Sequence, residues 1–137
     1  MNVVLEKDAI LPTRAHEADA GYDLFSREDV VIYSGDSYTF DTGVHMAIEP
    51  GWVGDVKSKS GMMMKYGIIT DGTVDAGYTG SIRVKLFNLG RCAVSIQKGQ
   101  KIAQLVIKKI ATPDLEVVDR LDDTDRGTNG FGSTGKF

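Results

Sequence analysis

Cysteine is nearly absent. The single thiol, Cys92, cannot close an internal disulfide, so a chain of 137 residues must be held together by its own core. Cys92 sits among Arg91, Ala93 and Val94 with no histidine or second cysteine nearby, and it is expected to be a plain buried or semi-buried thiol in a reducing compartment. No run of lysine or arginine occurs that could track a phosphate backbone, and the net charge is −3, so nucleic acid is not an expected partner. Long apolar runs are missing too, and the first dozen residues carry Glu6, Lys7 and Asp8, too charged for a signal or a membrane span. The chain is therefore expected to act where it is made, without membrane contact: in the cytoplasm, or in the host cytoplasm for a viral or phage source.

What is present is glycine, 16 residues against 3 prolines, in a chain with 42% hydrophobic content. That balance points to turns and β structure rather than helix. Turn signals recur at Ser34-Gly35-Asp36, Glu49-Pro50-Gly51, Asp71-Gly72, Ala76-Gly77, Leu89-Gly90 and Lys98-Gly99. Between them Asp29–Tyr33, Tyr38–Phe40 and Val44–Ile48 read as strands. Ser81–Phe87 alternates, with Ile82, Val84 and Leu86 on one face and Arg83 and Lys85 on the other, as a half-buried strand does. Lys101–Ile110 is apolar on both faces over Ile102–Ile107 and is expected to be a strand buried on both sides. One short helix is expected over Gly61–Tyr66, with Ser60 as N-cap and Gly67 as stop. The division expected is a single domain, with a β core over residues 1–122 and a flexible C-terminal arm over 123–137.

Four places could carry chemistry. The tail Arg126-Gly127-Thr128-Asn129-Gly130-Phe131-Gly132-Ser133-Thr134-Gly135 combines a guanidinium for phosphate, glycines that expose backbone N–H groups, two hydroxyls and a ring that can stack on a base. Composition alone also allows a disordered terminus. Ser58-Lys59-Ser60-Gly61 opens the helix, where free N–H groups favour an anion, although a simple cap explains the same residues. Gly72-Thr73-Val74-Asp75-Ala76-Gly77-Tyr78-Thr79-Gly80 is hairpin-like and carries one carboxylate and one phenol; an aspartate there is also an ordinary turn residue. Gln104 shares a strand face with Ile102 and Val106, so its amide needs partners, whether backbone, water or ligand.

Taken in order, these pieces resemble the five motifs of the trimeric dUTPase family, from Ala20 to Gly135 with family-like spacing. The motifs are Ala20-Gly21-Tyr22-Asp23-Leu24, Ser58-Lys59-Ser60-Gly61-Met62, Gly72 to Gly80, Gly99-Gln100-Lys101-Ile102-Ala103-Gln104-Leu105, and the tail from Arg126. The resemblance implies an all-β, distorted jelly-roll fold whose C-terminal arm is exchanged between subunits of a homotrimer with shared active sites. It implies hydrolysis of dUTP to dUMP and pyrophosphate, with Asp75 as the general base for water attack on the α-phosphorus. Tyr78 would lie against the deoxyribose, and backbone groups from Gly72 through Val74 to Tyr78 would read uracil. Ser60, Gly61 and Gln104 would meet the phosphate chain or the attacking water. Arg126, Ser133 and Thr134 would take the γ end, and Phe131, next to Gly132, would cover the base. The cofactor implied is Mg2+, bridging the triphosphate oxygens, with Asp23 reaching it through water. Lys59 stands where arginine is usual, keeping the charge but losing the planar fork that aligns phosphate or a neighbouring carboxylate. Asn129 replaces a tail glycine.

Three alternatives differ in kind. A dCTP deaminase shares the fold but needs a glutamate in the strand after the turn, where this chain has Lys85. A dUTPase-like nucleotide sensor would instead use ordering of the tail to control a regulatory protein partner. A plain structural jelly roll explains the strands but leaves Gln104, Ser60 and the tail composition without a cause.

Overall fold

Strict alternation determines which side of a strand turns inward. In Arg83–Asn88, residues Val84, Leu86 and Asn88 are buried while Arg83, Lys85 and Phe87 face out, as the period of two requires. The computed structural model describes residues 1–137. Its strands are β1 (Val3–Leu5), β2 (Gly21–Phe25), β3 (Val30–Ile32), β4 (Ser37–Asp41), β5 (Val44–Met46), β6 (Trp52–Lys57), β7 (Ile68–Ile69), β8 (Asp71–Val74), β9 (Arg83–Asn88), β10 (Val94–Ile96) and β11 (Lys101–Lys109); one helix, α1 (Ser60–Tyr66), joins β6 to β7.

These strands form antiparallel sheets in the orders β2-β11-β6-β8, β4-β9-β7, β1-β5 and β10-β3. The result is all-β with a single short helix, the distorted jelly roll expected. A cluster of 17 buried apolar side chains fills the space between sheets. Phe40, Leu24, Leu86 and Leu105 are fully enclosed, each contributing about 1.5–3 kcal/mol by leaving water.

β11 is the central strand of the largest sheet, paired on both edges by β2 and β6. Ile102, Ala103 and Leu105 are buried, whereas Val106 and Ile107 are only half-covered, so burial on both sides holds over the first part of the strand. A register irregularity between Lys101 and Ala103 interrupts the alternation.

Three local expectations change. Ser60 is the first residue of α1 rather than its cap; Lys59 takes the cap position with extended dihedrals and makes no side-chain cap bond. The hydroxyl that ties this corner down is that of Ser58, which accepts from Thr70 N–H and donates to its carbonyl, both at 2.8 Å. The helix does stop at Gly67, in the left-handed region at φ 69°. Cys92 is exposed rather than buried, because it lies in the turn before β10 and not in a strand. The Gly72–Gly80 stretch is not a two-stranded ladder: β8 pairs with β6, β9 pairs with β4 and β7, and the turn between them crosses from one sheet to another.

Beyond Lys109 there is no further strand, and every residue from Ile110 to Phe137 is exposed. Leu115, Val117 and Leu121 are among them, at 95%, 100% and 85% exposure. An apolar series packed on nothing in its own chain is unusual for a monomer.

Candidate functional site

Sheet register brings three of the sequence segments to one place. Across the largest sheet a single row runs Asp23, Gln104, Lys57, Asp71, one residue from each strand. Asp23 is 5% exposed. Its carboxylate is met by Lys59, arriving from the turn into α1, and by Lys101 Nζ at 2.7 Å from the start of β11. Burial alone would raise the Asp23 carboxyl; hydrogen bonds and charge from Lys101 and Lys59 outweigh it and hold the group below the usual carboxylate range. The Lys59 ammonium is therefore committed to a carboxylate, one of the two roles open to it from sequence.

Gln104 lies beside this pair. Its amide donates to the Ser58 carbonyl at 3.1 Å, and its side chain crosses directly over Gly21, where a Cβ would stand 2.5 Å from Oε1 and 2.9 Å from the Gln104 Cβ. Only glycine at 21 leaves room for that amide. Ser60 and Gly61 are exposed at the start of α1, directly after Lys59. The cluster thus presents two ammonium groups and an amide around one buried carboxylate, a setting for an anionic chain rather than for an apolar ligand.

Asp23 also makes a pH prediction. A carboxyl held below its unfolded value of about 3.9 stabilises the fold above that pH, and this contribution is lost as pH falls through the lowered folded value. Asp23→Asn is expected to flatten the acid limb of a denaturation profile below about pH 4 and to lose about 1–3 kcal/mol at neutral pH. The loss falls short of the ~3–5 kcal/mol of a fully buried pair because Lys101 is 45% exposed. Denaturant midpoints across pH check it; identical acid limbs in the two proteins would refute it.

The second locus is the end of β8. Val56, Gly72, Val74, Asp75, Tyr78 and Arg83 line a cleft of about 240 Å³, below the ~300–1,000 Å³ of whole small-molecule sites and so large enough for only part of a ligand. Asp75 opens a turn closed by Tyr78 N–H on its carbonyl at 3.2 Å, with Gly77 in the third position at φ 84°. The Tyr78 phenol donates to the Ser81 carbonyl at 3.1 Å, and the ring lies over Gly80, where a Cβ would overlap the phenol oxygen. A carboxylate and a flat phenol ring thus share one small cleft. A larger groove of about 490 Å³, lined by Met1, Val3, Tyr22, Trp52 and Ile107 among others, is mostly apolar and holds none of these polar groups.

Within one chain the two loci stay apart. Asp75 follows Val74 and lies four residues along from the Asp71–Lys57–Gln104–Asp23 row and two strands from β11. At ~3.3 Å per residue and ~4.8 Å per strand that is roughly 16 Å between backbones. The tail joins neither. Arg126 Nε is turned back on the Asn129 carbonyl at 3.0 Å, Ser133 N–H on Gly130 O at 2.8 Å, and Gly132, Thr134 and Phe131 are fully exposed. No three His, Cys, Asp or Glu residues of the chain are grouped as a metal cage.

Lys101, a motif residue in the sequence, and Arg83, an outward strand residue there, both stand at these loci, Lys101 on Asp23 and Arg83 in the cleft wall. Pairing of Lys101 with Asp23 was signalled by nothing local, because the partners are 78 positions apart and meet only through the β2–β11 register.

Fold and site together define a class: an all-β jelly-roll protein with a cationic cluster around a buried carboxylate, a separate small cleft that holds Asp75 and Tyr78, and an unpacked C-terminal arm. Comparison sharpens this. The dUTPase family model matches residues 7–135. A deoxyuridine 5'-triphosphate nucleotidohydrolase of Clostridium kluyveri is 46% identical over 134 residues, covering 96% of this chain and 94% of its own. The dUTPase of Staphylococcus bacteriophage 80alpha, solved with dUPNHPP, superposes with a TM-score of 0.89 at 34% identity, over 98% of this chain and 97% of that one. A mutant dUTPase from phage phi11 of S. aureus, solved for the coordination of a structural Mg(II) ion, gives 0.84 at 31% identity over 89% and 98%. The chain belongs to the dUTPase family.

Proposed function

We propose that this chain hydrolyses dUTP to dUMP and pyrophosphate in a homotrimer whose active sites are shared between subunits. The observation that carries the reading is the cleft at the end of β8, where Asp75 and Tyr78 stand together in a chain matched to the family from residue 7 to residue 135. Tyr78 takes the deoxyribose, its ring leaving no room for a 2′-hydroxyl, and the Gly72–Val74 backbone reads the base. Asp75 accepts a proton from a water as the water oxygen bonds to the α-phosphorus. The bond from that phosphorus to the bridging oxygen breaks, and pyrophosphate leaves. Ser60, Gly61, Gln104 and Lys101 place and neutralise the phosphate chain.

The separation of roughly 16 Å between Asp75 and Gln104 supports a shared site, since the cleft of one subunit can face the cationic cluster of another. The exposed arm fits the same arrangement: Arg126, Phe131, Ser133 and Thr134 make no contact with the core of their own chain, Arg126 and Ser133 bonding only within the arm, and in this reading they reach a neighbour's site. The donor set fits Mg2+, which keeps several waters and takes phosphate oxygens rather than an all-protein cage. Bound there, the ion would neutralise the triphosphate and polarise its oxygens. Asp23 would hold it only through water, using lone pairs left over after Lys59 and Lys101, because a carboxylate offers about four acceptor sites.

Lys85 points outward from β9, with Nζ 5.2 Å from the centre of the Phe87 ring, so no proton shuttle of the deaminase kind stands there. The discriminating measurement is pyrophosphate release from dUTP, dTTP, dCTP and UTP, with magnesium and with EDTA, beside an ammonia assay. Release from dUTP alone, abolished by EDTA and without ammonia, is expected. Ammonia from dCTP would make the chain a deaminase, and silence throughout would make it a nucleotide sensor.

A further inference from the structure

Away from the nucleotide cleft, one imidazole is placed so that only its charged form satisfies both neighbours. His45 lies in β5, opposite Val4 of β1. Its Nδ1 is 2.8 Å from the Thr79 carbonyl oxygen and its Nε2 is 3.0 Å from Glu6 Oε1. Both of these are acceptors. A neutral imidazole has one N–H and one lone pair, so it serves one and sets its lone pair against the other; the imidazolium donates to both.

The charged surroundings reinforce this. Glu6 uses its other oxygen to accept from Arg27 at 2.8 Å, and Arg27 stands 3.7 Å from Asp41. Asp41 accepts from the Ser81 hydroxyl at 2.5 Å, and the same hydroxyl accepts from Gly43 N–H at 3.0 Å. Glu6, Arg27 and Asp41 are thus the titratable or charged groups around the ring. Val4 on β1 is apolar, and the Thr79–Ser81 loop contributes only neutral oxygens. Thr79 directly follows Tyr78, whose phenol donates to the Ser81 carbonyl. The loop bearing the sugar-facing ring is therefore held from behind at two points, its Thr79 carbonyl by His45 and its Ser81 hydroxyl by Asp41.

We infer that His45 is a positioning residue for the nucleoside cleft: protonated, it bridges Thr79 to Glu6 and fixes the Tyr78–Ser81 loop, and deprotonation loosens that loop's hold on the sugar. The sugar contact rests on the dUTP reading above; the clamp itself does not. The Thr79 carbonyl and the Glu6 carboxylate raise His45 above the ordinary histidine value, burial opposing them less strongly. His45 and then Arg27 lower Glu6. By sign, the clamp is complete below the unfolded histidine value of about 6.5 and is lost as pH rises through the raised folded value.

The test uses the full chain and two readouts. Without nucleotide, the rings of His16 and His45 and the Gly80 amide are titrated by NMR, the rings being assigned by His16→Gln and His45→Gln. His45 is expected to titrate above the ordinary histidine value, with the Gly80 amide following the His45 transition. The KM for dUTP is then measured from about pH 6 to about pH 9 in wild type and His45→Gln. Wild-type KM is expected to rise roughly tenfold across the His45 transition, as loss of one charge-assisted hydrogen bond predicts, while kcat does not follow that transition. His45→Gln, which cannot change charge, is expected to show a flat KM at the wild-type alkaline level. If that variant does not fold, Glu6→Gln is expected to lower the His45 titration and shift the KM rise to lower pH. A Gly80 amide indifferent to His45, or parallel KM profiles in wild type and variant, would overturn the inference. Linked NMR titrations in a chain that does not turn over dUTP would instead sink the functional reading and leave the clamp standing.

Discussion

Asp75→Asn is expected to lower kcat for dUTP by about 10²–10⁴-fold, the range of a single general base, while binding of a non-hydrolysable dUTP analogue stays within roughly threefold. The change is isosteric. It keeps the turn that opens at Asp75 and closes through Tyr78 N–H, and it leaves the cleft walls of Val74, Tyr78 and Arg83 untouched. What disappears is the ability to accept a proton from water. Asp75 is exposed in the single chain, so the substitution leaves no orphaned buried group, and the thermal midpoint is expected to match wild type. Single-turnover kinetics and analogue titration check the claim. Near wild-type turnover would show that Asp75 is a turn residue and that the base lies elsewhere.

Truncation after Asp125 is expected to remove turnover nearly as completely, by about 10²-fold or more, and to leave the fold and the assembly intact. All buried residues of the chain precede Ile110, so the removed segment contributes nothing to the core. Stability should therefore change by no more than about 0.5 kcal/mol, as for other surface changes. The activity loss follows from the roles proposed for the segment, Arg126 on phosphate and Phe131 over the base; in its own chain Arg126 bonds only to Asn129 of the same segment, and Phe131 is fully exposed. Mass in solution and turnover, measured on the same sample, separate the outcomes. A truncated chain with full activity would make the segment a mere terminus, and a truncated chain that falls to monomers would place assembly contacts within it. Mixing this truncation with Asp75→Asn offers a stricter version of the same measurement. Shared sites predict that mixed oligomers regain part of the turnover that neither parent has, because an intact cleft can meet an intact arm from a different subunit.

How much was legible beforehand depended on periodicity. Ser81–Phe87 was readable because one face is buried and the other wet, so the alternation is written directly into Ile82, Val84 and Leu86. Lys101–Lys109 was readable as a run of apolar residues, since a central strand is covered from both sides at its start. β6 was not, because Gly54 interrupts Trp52–Lys57 and its burial is irregular. β1, β7 and β10 have only two or three residues each, too few for a period to show; β3 and β5, equally short, were readable only as parts of the longer β-rich stretches Asp29–Tyr33 and Val44–Ile48 between turn signals. The cap of α1 failed for a related reason. Serine at the start of a helix is the statistical favourite, but here the chain turns one residue earlier and the neighbouring Ser58 hydroxyl serves Thr70 instead.

Chemistry that is local in the chain could be named from residues alone. Asp75, Tyr78 and the turn between them lie within four positions, so their proximity is covalent geometry, and the glycines that open the cleft stand beside them. The five segments in order also identified the family, since their residue types and spacing do not depend on register. Contacts between distant segments were decided only by tertiary structure. Pairing of β11 with β2 on one edge and β6 on the other sets Asp23, Gln104 and Lys57 in one row, brings Lys59 and Lys101 onto a single carboxylate, and leaves Asp75 too far away to join them. The His45 bridge from Glu6 to Thr79 spans three segments in the same way. A one-residue slip in any of these ladders would turn the side chains to the opposite face. Sequence determined which groups the protein has and which reaction they suit; strand register, fixed by burial of one face against another, determined which of them meet.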